Sequence, residues 1–419
     1  MAFHVVGAGL AGLAAATALA SAPGRRDIVL HEAAPRAGGR CRSWPDPSLG
    51  VEIDNGTHAL LGANDAALRY VAMVGAQERI AWLDAGVEFI DLRDDAQWRI
   101  ASPLDLLRLW RRGGAPAVRE AALLLRLLLP RRGATVPADL AGMEGLARLA
   151  WEPLLRAIMN AGPGVAAAMP FARAMRRVLR RGRAGMRVGI ARRSLADSLV
   201  DPALDLLARA GAGIRLGERL RATEISDGRL RLLRFDGGDV ALGDGDQAIL
   251  ALPPWELARC APGLAPDCAP SPIVNLHAVI DGRGTATDDI EFRGLVGGTA
   301  EWVLRRGKVA SATTSAASGL AALPQDEVFA LLWPEVARGL RLPPDARARS
   351  WRVVVERRAT PLQDPGFEAR RPGMATGAAN LLLAGDWVQP GLPCTIEAAI
   401  ASGAAAAGEA LARASKTRE

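Results

Sequence analysis

Six residues near the start of the chain have the spacing that binds a dinucleotide. A short apolar run at residues 3–6 leads into Gly7-Ala8-Gly9-Leu10-Ala11-Gly12 and then into an alanine-rich stretch that predicts a helix. Gly7 permits a tight turn, Gly9 lets the backbone approach a pyrophosphate, and Gly12 lets the helix pack closely on the strand. The phosphates would meet free N–H groups at the helix N-terminus, where the dipole favours negative charge. The candidate contacts are Gly7, Gly9, Leu10, Ala11 and Gly12.

A carboxylate follows the next predicted strand. Residues 28–30 are apolar, and Glu32 comes about 20 residues after Gly12, where an acid accepts hydrogen bonds from ribose hydroxyls. Glu32 and the adjoining Ala33 are therefore candidate cofactor contacts. The apolar run 5–20 contains three glycines and is shorter than the ~20 residues that a bilayer span needs, so we expect neither a signal peptide nor a membrane helix there.

A second set of candidate residues lies at the opposite end of the chain. Residues 381–407 predict a strand, a Gly/Pro turn and a helix of small residues. Taken with Gly38-Gly39-Arg40, the two ends indicate FAD. The fold class is therefore predicted as α/β: a Rossmann-type FAD-binding domain assembled from residues 1–85, 192–258 and 374–419. An interleaved α+β substrate domain takes residues 86–191 and 259–373.

Composition narrows the function classes. The 419 residues carry a formal net charge of +7, but aromatic residues make up only 4%, with one tyrosine, and no nucleic-acid-binding module is visible. The four cysteines lack the spacing of a metal site, so no metal is expected. Few cysteines and no leader predict a cytoplasmic protein. An anionic membrane surface suits the positive charge better than a nucleic acid does.

Residues 103–132 alternate leucine clusters with arginine pairs and contain a break at Gly113-Gly114. One apolar group comprises Leu104, Leu107, Leu109 and Trp110, and another comprises residues 123–129. Neither could span a bilayer, but both could lie in its interface, with a second basic cluster at 173–183 adding attraction to anionic lipid. The alternative is an amphipathic helix pair that covers the core. The first interpretation predicts peripheral association with the inner face of the cytoplasmic membrane.

The order of these motifs resembles that of the flavin amine oxidase and phytoene desaturase superfamily. The resemblance implies FAD held across two lobes, with Arg40 along the pyrophosphate and Asp386 near the ribityl or phosphate groups. It also implies that the last helix, beginning near Thr395 and Ile396, points its N-terminus at the flavin, and that Cys394 is not a covalent tether, so FAD binds non-covalently. Further contacts implied in this way are Gly38, Gly39, Ala222 and Gly385.

Two local motifs, residues 54–62 and 391–397, resemble those of hydroxysqualene dehydroxylases, the squalene-associated FAD enzymes of bacterial hopanoid synthesis. The resemblance implies reductive dehydroxylation of an apolar isoprenoid, hydroxysqualene, to squalene. The allylic hydroxyl would leave after protonation, and the cation would accept hydride from reduced flavin. His58 is the candidate acid and flavin contact, with Asp54 beside it, because a side chain with a pKa near 6.5 can donate at neutral pH. The structural alternative is that His58 binds backbone or flavin and that Asp54 caps the turn.

Three other functions stay open at this point. A polyene desaturase of the carotenoid type would use the same cofactor with hydride moving towards flavin. An amine oxidase would need two aromatic rings beside the flavin, for which Trp387 alone is well placed. A non-catalytic FAD- or lipid-binding partner of a terpenoid synthase would need no turnover. No second nucleotide motif indicates NAD(P)H as electron donor, and no sequence feature indicates an oligomeric state.

Overall fold

A five-stranded parallel sheet forms the centre of the fold. The computed structural model describes residues 1–83, 86–112, 117–280, 290–388 and 391–416. The strand order of this sheet is β10-β2-β1-β14-β20, and every neighbouring pair is parallel. Its strands come from all three segments predicted for the FAD-binding domain. In chain order the strands are β1 (Ala2–Val6), β2 (Asp27–Glu32), β3 (Ser43–Asp46), β4 (Val51–Asp54), β5 (Ala59–Leu61), β6 (Ile80–Leu83), β7 (Val87–Asp91), β8 (Gln97–Ile100), β9 (Val188–Ala191), β10 (Gly213–Leu216), β11 (Leu220–Ser226), β12 (Arg229–Phe235), β13 (Gly238–Ala241), β14 (Gln247–Leu250), β15 (Pro270–Ile280), β16 (Ile290–Val296), β17 (Trp302–Arg306), β18 (Val309–Thr314), β19 (Ala348–Pro361) and β20 (Leu381–Leu383).

A seven-stranded mixed sheet, in the order β19-β15-β18-β17-β16-β7-β8, forms the second layer. Its strands come only from the two segments predicted for the substrate domain. Helices cover both sheets; they are α1 (Leu10–Ser21), α2 (Asp65–Met73), α3 (Pro103–Arg112), α4 (Ala117–Leu128), α5 (Glu152–Met159), α6 (Ala168–Arg180), α7 (Gly182–Met186), α8 (Asp201–Arg209), α9 (Pro254–Cys260), α10 (Gln325–Gly339), α11 (Pro365–Arg370) and α12 (Ile396–Lys416). Small sheets β11-β12-β13, β5-β9-β6 and β3-β4 complete the architecture.

The structure corrects the sequence predictions at several elements. The sequence predicts one strand region over 213–225, but the structure forms two strands, because Gly217 turns the chain out of the central sheet and β11 pairs with β12 instead. The sequence also predicts a helix-rich segment from about residue 86 to 190, but this part of the chain contributes β7 and β8 to the large sheet and β9 to a small one. The strands β16 and β18 were not predicted from the sequence.

The leucine groups of residues 103–132 are also divided differently from the prediction. Leu109 and Leu127 are buried in the core of the helical layer, whereas Leu104 and Leu125 are exposed. The predicted grouping of Leu109 with Leu104 on one apolar face was therefore wrong, because the two residues point to opposite sides of α3. The break predicted at Gly113-Gly114 lies outside the described residues.

The first and last helices of the described chain pack against each other over the central sheet. Gly403 of α12 faces the backbone of α1, and a Cβ at this position would overlap the carbonyl oxygen of Ala11. Gly408, one and a half turns further along α12, faces open space. The close approach therefore depends on a missing side chain at one position of α12.

Because Gly403 is crowded and Gly408 is not, we expect substitution by alanine to have opposite effects at these two positions of α12. We expect Gly403→Ala to destabilise the fold by about 1–3 kcal/mol through overpacking and to lower the amount of bound flavin. Gly408→Ala should leave flavin binding unchanged and stabilise the helix by up to about 1 kcal/mol. Urea unfolding and the flavin-to-protein ratio check both; equal effects of the two variants would contradict the packing argument.

Candidate functional site

The predicted phosphate-binding turn has the expected geometry. Gly7 has a φ of +102°, a backbone conformation that other residues rarely adopt, and α1 begins at Leu10 directly after Gly9. A Cβ on Gly12 would overlap the carbonyl oxygen of Gly7, so glycine is required where α1 meets β1. Ala11 lies in the first turn of α1, where backbone N–H groups lack helical partners.

Gly38 and Gly39 form the opposite wall of this turn. Gly9 and Gly38 form a β-bridge, and a Cβ on Gly39 would come within 3.1 Å of the Cα of Gly9. Neither wall carries a side chain, so the backbone N–H groups of α1 remain approachable. The arrangement fits a pyrophosphate.

Glu32 lies at the end of β2, beside the phosphate turn. Its carboxylate accepts hydrogen bonds from the backbone N–H groups of Ala8 (2.7 Å) and Ala34 (2.8 Å), with Ala33 between them in sequence. The turn that follows β10 lies next to Glu32, because the Glu218 N–H of this turn donates to the Glu32 carbonyl at 2.9 Å. Ala222, predicted as an adenine contact, lies further on in β11, opposite Arg234.

An ion pair joins the two ends of the chain. Arg40 donates two hydrogen bonds to the Asp386 carboxylate, at 2.9 and 2.6 Å, and a third to the Ala359 carbonyl at 2.7 Å. Asp386 is buried, whereas Arg40 keeps about a third of its side chain accessible. Gly385, directly before Asp386, donates its N–H to the Ser402 hydroxyl at 2.8 Å. The structure therefore brings together Arg40 and Asp386, two residues that the family resemblance implies as separate FAD contacts.

Arg371 is a site residue that the sequence reasoning missed. Its fully buried guanidinium donates to the backbone carbonyls of Asp386 (2.6 Å), Trp387 (3.0 Å) and Leu392 (2.7 Å). It also pairs with Glu368 at 2.8 Å. Arg371 thus fixes the backbone on both sides of the segment between β20 and α12. No motif surrounds it, so only the folded structure identifies it.

Trp387 and Tyr70 are structural. Trp387 is fully buried and donates its indole N–H to the Leu252 carbonyl at 2.9 Å, which ties β20 to the end of β14. The Tyr70 hydroxyl donates to the Leu199 carbonyl at 2.7 Å in the core. The expectation that Trp387 is well placed for an aromatic amine cage was therefore wrong.

The last helix begins where the sequence predicts. α12 starts at Ile396, directly after Thr395. Glu397, in the first turn, accepts hydrogen bonds from the N–H groups of Ala66 (3.2 Å) and Ala67 (3.0 Å) and pairs with Arg177 at 3.0 Å. Glu397 therefore caps the N-terminus of α2 and is not available as an acid.

Asp54 is held by structural partners. Its carboxylate accepts hydrogen bonds from the Ser43 hydroxyl (2.6 Å) and the Leu195 N–H (2.9 Å). It also forms an ion pair with Arg306. These three donors support the alternative that Asp54 anchors the turn and does not react.

The turn that follows Asp54 is fastened to the large sheet. Asn275 of β15 donates its side-chain N–H to the Asn55 carbonyl at 3.2 Å, and Thr313 donates to the Asn275 oxygen at 2.7 Å. His58 follows this turn and is partly accessible. Burial lowers the pKa of His58 below its usual value, so the imidazole is mainly neutral at pH 7.

The sequence places His4, His31 and His277 within or beside predicted strands as packed structural residues, and all three are buried. His31 contacts Glu218 at 2.9 Å, and His277 contacts the Ser311 hydroxyl at 2.8 Å. Burial lowers the pKa of both imidazoles to about 4, so both are neutral at pH 7. Within the described ranges, no cluster of side chains could hold a metal ion. No helix among those residues is long and apolar enough to cross a bilayer.

Comparison with known proteins shows which family the chain belongs to. Residues 10–280 and 306–411 match the sequence pattern described as flavin containing amine oxidoreductase. The fold is similar to that of cyclohexylamine oxidase from Brevibacterium oxydans, with a TM-score of 0.70 over all of this chain and 99% of that one at 15% identity. The chain belongs to the flavin-containing amine oxidoreductase family, and its cofactor is a flavin.

Within that family the chain is similar over its whole length to hydroxysqualene dehydroxylases. The enzyme of that name from Zymomonas mobilis is 36% identical over 97% of this chain and 98% of its own length. The one from Rhodopseudomonas palustris is 37% identical over 96% of this chain and 97% of its own. The resemblance inferred from the two local motifs is confirmed.

The buried contacts of Arg371 predict that Arg371→Met lowers flavin content. The variant leaves three carbonyls and Glu368 without their donor, which should cost about 3 kcal/mol or more of stability. Arg370→Met is the matched control, because Arg370 is exposed and should change stability by less than about 0.5 kcal/mol. Thermal unfolding and the flavin-to-protein ratio measure both; normal flavin content in Arg371→Met would contradict its role.

Proposed function

We propose that the chain catalyses the FAD-dependent reductive dehydroxylation of hydroxysqualene to squalene, as part of hopanoid or triterpenoid synthesis. The observation that carries this proposal is the similarity over 96–97% of the chain to enzymes named for that reaction. The buried positions of Trp387 and Tyr70 argue against an amine-binding aromatic cage.

The reaction exchanges a hydroxyl for a hydride. The allylic C–O bond breaks as the hydroxyl takes a proton and leaves as water, and the delocalised cation gains a hydride. When bound, reduced flavin supplies that hydride. The protein must therefore bind an apolar chain, deliver a proton, and exclude water that would recapture the cation.

We propose that one face of the large sheet receives the polyene. Asn275, which holds the Asn55 turn, is in register with Thr313, and Thr313 with Trp302. Trp302 stacks on Phe292 with ring centroids 5.2 Å apart and meets the edge of Phe89 at 5.6 Å. Aromatic faces stabilise cations, so this surface suits an allylic cation formed near the turn.

We also propose that FAD binds non-covalently. Cys394, directly before the helix at the flavin end, is buried, and burial raises its pKa well above the usual value. Cys41 is likewise buried, with a pKa raised to about 12 by desolvation. Both sulfurs are therefore thiols at neutral pH, which disfavours attack on a flavin.

We infer the partner of the protein from its exposed apolar residues. Leu104, Val118, Leu125 and Leu129 on and after α3 and α4 are each more than 60% exposed. Because exposed leucines next to arginines suit the bilayer interface, we propose peripheral attachment to an anionic membrane surface through these helices. The proposed location is the inner face of the cytoplasmic membrane.

The reaction is tested anaerobically. Chemically reduced protein is mixed with hydroxysqualene while flavin absorbance and squalene are followed. We expect reoxidation of the flavin with one squalene formed per flavin oxidised. If the flavin stays reduced and no squalene appears, the proposed substrate is wrong, and the oxidised protein should then be tested with polyenes for desaturation.

The lowered pKa of His58 predicts how the rate depends on pH. If His58 donates the proton, only its protonated form is active, so the rate rises as the pH falls and its midpoint lies below 6.5. His58→Gln should lower the rate by about 100-fold or more and remove this dependence. An unchanged rate and profile in His58→Gln would exclude His58 as the acid.

Membrane attachment predicts a flotation result for selected leucines. Leu125→Ser with Leu129→Ser should reduce flotation with anionic liposomes, because both side chains are exposed and their change spares the core. Leu127 is not substituted, since it is fully buried. The control is Leu216→Ser with Ile225→Ser, which are exposed elsewhere. Equal flotation of all three proteins would contradict attachment through α4.

A further inference from the structure

One face of α6 carries four arginines. Arg173, Arg176, Arg177 and Arg180 are spaced at i, i+3, i+4 and i+7, so they lie side by side on the helix. Like charges at these spacings repel and destabilise an isolated helix. Arg177 is compensated by its ion pair with Glu397 at 3.0 Å. Of the other three, Arg173 and Arg180 are exposed and Arg176 is half-buried.

The fold does not neutralise those three residues. Within the described ranges, Arg173, Arg176 and Arg180 form no salt bridge, and the buried Nε of Arg176 has no hydrogen-bond partner. Glu368, whose carboxylate feels the charge of Arg173, is already paired with Arg371 at 2.8 Å. The helix dipole favours Arg180 at the C-terminus but not Arg173 and Arg176 in the middle of the helix.

These arginines line a cavity that adjoins an apolar groove. The cavity is an open depression of the surface with a volume of about 330 Å³, and it is lined by the four arginines and Leu392, which belongs to the segment that leads to α12. The groove has a volume of about 400 Å³ and lies along α4; its lining residues are Ala121, Leu124, Leu125, Leu128, Leu129 and Arg176. Arg176 lines both, so the two spaces share a wall.

We propose that the cavity binds the phosphate group of a lipid phosphate ester whose hydrocarbon chain lies in the groove. Guanidinium groups bind phosphate oxygens in pairs, and three uncompensated arginines are sufficient to neutralise a phosphate monoester, which carries about 1.5–2 negative charges at pH 7. The leucines of α4 would bury the chain next to that phosphate. The site does not depend on the reaction proposed above, but it builds on the proposed membrane attachment, because Leu125 and Leu129 take part in both.

The test uses dodecyl phosphate below its micelle concentration and the full-length flavoprotein. Isothermal titration should show saturable binding of one molecule per chain, with dodecanol and inorganic phosphate each binding at least 10-fold more weakly. The variant Arg173→Gln/Arg176→Gln/Arg180→Gln should weaken dodecyl phosphate binding at least 10-fold. The control Arg25→Gln/Arg209→Gln/Arg357→Gln removes the same charge from exposed arginines elsewhere and should bind normally. Both triple variants should retain the wild-type flavin content and unfolding temperature.

Two results would overturn the proposal. One is that dodecanol binds the wild-type protein as tightly as dodecyl phosphate does; the other is that both triple variants lose affinity equally, which would indicate net charge alone. Vesicles of phosphatidic acid in phosphatidylcholine identify the source of the ligand. Competition with dodecyl phosphate indicates a bilayer lipid, and absence of competition indicates a free lipid phosphate. Turnover is not measured here, so this test can fail without affecting the dehydroxylase proposal.

Discussion

The ion pair between Arg40 and Asp386 is the interaction that joins the two ends of the chain, where we propose that the flavin binds. It joins residues 346 positions apart, and each belongs to one half of the proposed flavin site. Asp386 is buried, so its charge is stable only with a partner, and loss of one member of such a pair typically costs about 3–5 kcal/mol. The pair therefore fixes how the first and last segments of the chain meet.

Two further contacts hold the same arrangement. Gly403 lets α12 approach α1 closely, and Arg371 gathers the carbonyls of Asp386, Trp387 and Leu392. The N-terminus of α1 borders the phosphate turn, and the N-terminus of α12 follows the segment that Arg371 holds. The relative position of these two helices therefore determines where the two ends of the site lie. Asn275 connects the large sheet to this site, because its side chain binds the turn before His58.

The cofactor-binding part of the fold could be predicted because its residues lie in local sequence patterns. The rest of the fold depends on contacts between residues that are distant in the sequence. Gly7, Gly12 and Glu32 were identified because each acts within its own strand, turn or helix. Arg371 and Asn275 were missed because their partners lie elsewhere in the chain and no motif marks them. The sequence prediction grouped Leu109 and Leu127 with leucines that are exposed in the structure. Leucines that are close in the sequence form one group there, whereas the burial of each one depends on which side of the helix it faces. The contacts of all the candidate residues with FAD, and the roles of His58 and Ala222, stay predictions.

We propose that Arg40 and Asp386 act as one unit in holding the flavin. The FAD dissociation constant of the wild type, Arg40→Ala, Asp386→Ala and the double variant tests this. We expect each single change to raise the dissociation constant at least 10-fold and the double variant to resemble either single one, because removing the second partner breaks nothing more. If the two effects multiply in the double variant, the residues act independently and the claim is wrong.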